Sequence, residues 1–66
     1  MPIYQMNSPV TSPFVADEIS SLIHHLIELA IKPNGFSMSG DFIRISVPNN
    51  RSIPADQVTH LNLTQV

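Results

Sequence analysis

Residues 12–33 run Ser12-Pro13-Phe14-Val15-Ala16-Asp17-Glu18-Ile19-Ser20-Ser21-Leu22-Ile23-His24-His25-Leu26-Ile27-Glu28-Leu29-Ala30-Ile31-Lys32-Pro33, and their apolar positions recur with a helical period. At roughly 100° per residue, Val15, Ile19, Leu22, Ile23, Leu26, Ile27, Leu29 and Ala30 fall within an arc of about 160°. Asp17, Glu18, Ser20, Ser21, His24, His25, Glu28 and Lys32 fill the other side. The spacing predicts an amphipathic helix over residues 13–32. Ser12 can cap its first amides, Pro13 suits the first helical position, and Asp17 and Glu18 lie near the positive end of the dipole. The many isoleucines are stiff at χ1 and give only moderate helix propensity, so burial of the apolar face must hold the helix. Pro33 predicts the stop, and Asn34-Gly35 tolerates the positive φ of a reversal.

Downstream, residues 35–47 read as a β-hairpin in which Phe36-Ser37-Met38-Ser39 returns as Phe42-Ile43-Arg44-Ile45-Ser46-Val47 around Gly40-Asp41. Glycine in the first central position favours a type II′ turn. A two-residue loop sets Ser39 opposite Phe42, Met38 opposite Ile43 and Phe36 opposite Ile45, so four apolar side chains share one face. Ser37, Ser39, Phe42, Arg44 and Ser46 take the other, the composition of a half-solvated antiparallel sheet.

Residues 48–52 are a polar loop. Residues 57–64 alternate and predict a strand, with a helical turn at Pro54 to Val58 as the competing reading of its start. At the other end, residues 1–12 read as a strand or arm, with Ile3 and Gln5 on one face and Tyr4 and Met6 on the other. The prolines at 9 and 13 then resist both helix and ladder. The expected fold class is α+β: one domain over residues 1–66, with an amphipathic helix packed on an antiparallel sheet of two to four strands.

Size argues for association. A chain of 66 residues loses on the order of 6,400 Å² of surface on folding by the usual scaling. At about 60% apolar and roughly 25 cal/mol per Å², this contributes about 97 kcal/mol, against about 99 kcal/mol for ordering the chain. There is no cysteine, hence no disulfide, thiolate zinc site or cysteine nucleophile. Association is the remaining common source of stability, and a homodimer is expected.

Three basic residues, Lys32, Arg44 and Arg51, stand against five acids, for a net charge of −2. A phosphate backbone finds little to hold, which argues against nucleic acid as a partner. No apolar run approaches the ~18 residues of a membrane span, and the N-terminus lacks a signal-peptide pattern, so a cytoplasmic, membrane-free protein is expected.

His24 and His25 invite a metal or ligand reading, but helical neighbours point about 100° apart, and no HExxH motif is present. His24 with Glu28, completed by His60 or a second subunit, is the best arrangement available, and no metal or cofactor is expected. A dimer seam crossing His24 or His25 would be sensitive to pH. No GxSxG elbow or phosphate-cradling loop is present, and both glycines, Gly35 and Gly40, are explained by turns. The protein is expected not to be an enzyme.

The favoured expectation is a non-catalytic interaction module, an adaptor, regulator or inhibitor, that binds itself and another protein. Phe42 and Arg44 on the outer hairpin face would carry the contact, because aromatics and arginine are enriched in interface hot spots. The helix arc is wider than one small sheet face needs, so Leu29 at one edge, Ile27 at the other and Ile31 beyond it form a second candidate surface. Two alternatives remain. One is an anionic-metabolite binder with His24, His60 and Arg44 at a subunit interface. The other is a transcription- or antitoxin-related accessory protein.

Overall fold

A computed structural model describes residues 2–66. Along the chain run β1 (Ile3–Met6), α1 (Val15–Glu28), β2 (Gly35–Ser39), β3 (Phe42–Ser46), α2 (Ala55–His60) and β4 (Leu63–Gln65). The strands form one antiparallel sheet in the order β2-β3-β1-β4. The protein is thus α+β, with helices on a four-stranded antiparallel sheet.

β1 is an interior strand. It pairs Tyr4 with Ile45 on one side and Met6 with Leu63 on the other. The hairpin has the register that apolar matching requires: Phe36 opposite Ile45, Met38 opposite Ile43, Ser39 opposite Phe42. Gly40 sits at φ 61° while Asp41 keeps negative φ, as a type II′ turn demands.

The helix is shorter than the expected span of 13–32. At its start, Ser12 forms a turn before the helix rather than its cap: its hydroxyl accepts from Phe14 N–H at 3.2 Å, and Phe14 is the first flanking residue. At its end, the chain reverses at Ala30, three residues before Pro33. Ala30 has φ 57°. The Ile31 amide donates to the Leu26 carbonyl at 2.9 Å and the Ala30 amide to the Ile27 carbonyl at 3.1 Å. This is a Schellman closure, in which a left-handed residue satisfies the last carbonyls and tucks the next apolar side chain beneath the final turn. Ile31 is accordingly buried with Leu26.

The C-terminal segment also differs from the strand expected over 57–64. Pro54 opens a helix with Asp56 in its first turn, and the strand is confined to Leu63–Gln65. Ile53 and Leu61 are buried and Val58 packs against the core. Asn62, at φ 58°, ends the helix and turns the chain into β4.

The core lies between α1 and one sheet face. Leu22 and Leu26 descend from the helix onto Tyr4, Met6, Ile45, Val47 and Leu63, and Ile31, Ile53 and Leu61 close the sides. Burying a side chain of this size stabilises by roughly 1.5–3 kcal/mol, so these ten residues define the domain. Among the described residues, no helix is long and apolar enough to cross a membrane.

Candidate functional site

A helix is about 10 Å across and strands are spaced about 4.8 Å apart, so one helix covers two strands of a four-stranded sheet and leaves an edge bare. α2 and the loop before it cover the β4 side, through Ile53, Val58 and Leu61. On the β2 side nothing comparable is present among the described residues. Phe36 and Met38 point to the same sheet face as Ile43 and Ile45, yet they remain 53% and 55% exposed.

The helix is asymmetric in the matching sense. Ile19 packs against the core, and Ile23 and Ile27 extend the same ridge at spacings of four, out to 42% and 71% exposure. The opposite flank of α1 carries Glu18, Ser21 and His25. There, Ser8 donates to Glu18 Oε1 at 3.0 Å, and the His25 ring lies 5.6 Å from that of His60.

Between ridge and edge lies an open groove of about 260 Å³, lined by Ile19, Phe36, Ser37, Met38 and Ile43. None of these residues is ionisable. A second hollow, of about 270 Å³, lies around Asn34, Gly35, Phe36, Ser37 and Ser46. Both concavities therefore flank β2.

The groove is not a symptom of loose packing. The accessible surface of 4132 Å² is close to the ~4,200 Å² expected for a compact monomer of this mass.

The backbone of β2 is as open as its side chains. A two-residue hairpin makes Ser39 and Phe42 a hydrogen-bonded pair, and alternation makes Ser37–Arg44 and Gly35–Ser46 the next two. The N–H and C=O groups of Phe36 and Met38 consequently point away from β3, toward the free edge.

The residues singled out from sequence disperse. Arg44 lies on the outer sheet face, where its Nε donates to Gln5 Oε1 at 2.9 Å. His24 and His60 stand on the helices covering the other face, so the three do not converge on one anion. His24 Nε2 lies 3.0 Å from Glu28 Oε1 on the exposed helix surface. It is His25, not His24, that approaches His60, and its Nδ1 is already engaged by the Ser21 carbonyl at 2.8 Å. Among the described residues no group of three or more His, Cys, Asp or Glu could hold a metal ion.

Phe42 neighbours Arg44 on the outer face, half-buried like it. Of the helix-edge trio, Ile27 is fully presented, Leu29 is half-buried against the core and Ile31 is inside it. Phe36 and Met38, the groove's floor, escaped the sequence reading because their pattern is that of core residues. The signal available was the width of one helix against the number of strands.

No known protein family matches the chain, and neither a curated protein nor a solved structure is significantly similar to it.

Proposed function

We propose that this protein is a non-catalytic protein–protein interaction module whose contact surface is the groove between α1 and β2. The observation that carries the reading is that the exposed Phe36 and Met38 line a groove with Ile19, whose helix ridge continues through the exposed Ile23 and Ile27. The exposed parts of Ile23, Ile27, Phe36 and Met38 amount to roughly 400 Å², comparable with the largest apolar patch of a typical monomer and often functional at that size. The contact therefore moves from Phe42 and Arg44, the residues favoured by sequence, to the other face of the same hairpin. Apolar burial supplies the affinity and the open backbone of β2 supplies direction.

Photo-crosslinking tests this directly. Benzoylphenylalanine in place of Phe36 is expected to form discrete adducts in concentrated solution and in cell extract, whereas the same group in place of Phe42 forms few. Equal labelling from the two positions, or labelling from position 42 alone, contradicts the assignment.

A further inference from the structure

Resting on that reading of the groove, we infer that its occupant is a second copy of this chain, paired edge to edge through β2 about a two-fold axis at Ser37. In an antiparallel pairing centred there, Phe36 lies opposite Met38 of the second copy, and Met38 opposite its Phe36. The segment Gly35-Phe36-Ser37-Met38-Ser39 is symmetric in kind about its middle: small residues at 35, 37 and 39, large apolar residues at 36 and 38. A two-fold interface demands this self-complementarity, because it sets each surface against itself.

Three observations fit this edge pairing, and the symmetry of the segment about Ser37 is what favours a copy as the partner. The first is hydrogen bonding. The outward N–H and C=O groups of Phe36 and Met38 are those required for the two hydrogen-bonded pairs flanking a central non-bonded Ser37 pair.

The second is charge. β2 and the groove lining hold no ionisable side chain, so a like surface approaches without repulsion, and the groove offers no charge for which a different partner would need a complement.

The third is the lack of protection. Exposed edges are normally blunted by lysine, proline, a bulge or brevity. β4, three residues long, is blunted by brevity. β2 has five residues, four of them exposed, with neither charge nor proline. The pairing extends the sheet to eight strands and gathers Phe36 and Met38 from both copies into one cluster between the two Ile23–Ile27 ridges. The exposed parts of Ile23, Ile27, Phe36 and Met38, roughly 400 Å² per copy, are about half of the ~800 Å² that each partner gives to a standard interface, the size of a weak, concentration-dependent pair.

Because the chain has no cysteine, a single introduced thiol reads the register. In the pairing, the two Ser37 Cα atoms face each other at about 4.5 Å, within disulfide range. The two Ser39 Cα atoms lie roughly 13 Å apart along the strands, beyond it. Ser37→Cys is expected to oxidise to a disulfide-linked dimer at least about tenfold faster than Ser39→Cys. Both variants are read alongside their circular dichroism and the light-scattering mass of the unmodified chain. Faster linking at position 39 overturns the register, and slow linking at both in folded protein overturns the pairing. Phe36 photo-adducts whose mass exceeds the chain by anything other than one further copy overturn the second copy as occupant while leaving the groove reading intact. Adducts absent from position 36 remove the groove reading itself.

Discussion

The hydroxyl of Tyr4, buried at the centre of the sheet, accepts a hydrogen bond from the Ile53 amide at 3.1 Å, joining residues 49 positions apart. Through this one contact the interior strand fixes the loop that leads into α2, and α2 in turn closes the β4 side of the core. Tyr4→Phe keeps the ring but leaves the Ile53 N–H without its acceptor in a buried place, at a cost of about 1–3 kcal/mol. The thermal midpoint of so short a chain is expected to fall by roughly 4–8 °C for each kcal/mol lost. An unchanged midpoint would mean that water replaces the hydroxyl.

Ala30 occupies a left-handed conformation that costs a residue with a Cβ roughly 1–2 kcal/mol and costs glycine little. Ala30→Gly is expected to stabilise the protein by about 1 kcal/mol, after allowance for the greater freedom of glycine in the unfolded chain. A chemical-denaturation midpoint checks it. Asn62 shares the conformation, but asparagine tolerates it and its Oδ1 accepts from Asn7 Nδ2 at 3.1 Å, so Asn62→Gly loses that bond and is expected to cost about 0.5–1.5 kcal/mol rather than to stabilise.

These two positions mark the limit of what was legible in the sequence. The period of α1 and the matched register of β2 with β3 follow from residue pattern, because both are dictated by neighbours in the chain. The stop at Ala30 was not visible: no glycine marks it, and the reversal is enforced by burial of Ile31 against Leu26, a tertiary demand. Residues 57–60 were ambiguous for a similar reason: alternation suggests a strand, but the competing helical turn from Pro54 prevails because Val58 and Leu61, three residues apart, reach the core from one side of α2 while Ile53 fills it from the preceding loop. The groove was hidden for a related reason. Phe36 and Met38 carry the signature of core residues, and only the count of strands beneath one helix shows that they are left uncovered.

Adjacent helix residues should separate fold from association. Leu26 is buried beneath α1, and Leu26→Ala is expected to cost about 2–5 kcal/mol. Ile27, its neighbour, is 71% exposed, and Ile27→Ala is expected to stay within about 0.5 kcal/mol in dilute solution. Denaturation curves for both variants, taken at low protein concentration, check the contrast.

The two faces of the hairpin should separate in the same way. Met38→Asp places a charge in the groove, where a second copy would bury it, and is expected to hold the chain at the mass of a single copy. Arg44→Ala removes a part-buried hydrogen bond to Gln5 on the outer face, at a cost of about 1.5–3 kcal/mol, and is expected to leave the mass unchanged. Light scattering behind size exclusion reads both.

The most direct test of β2 as the edge covered by a second copy is amide hydrogen exchange at Phe36 and Met38, followed from about 10 µM to 1 mM. The outward amides of these two residues are expected to exchange freely when dilute. They should gain protection with concentration, in step with a doubling of mass, while those of Ser37 and Ser39, bonded to β3, are protected throughout. Amides at Phe36 and Met38 that exchange freely at every concentration, in a chain whose mass stays that of one copy, would contradict the account.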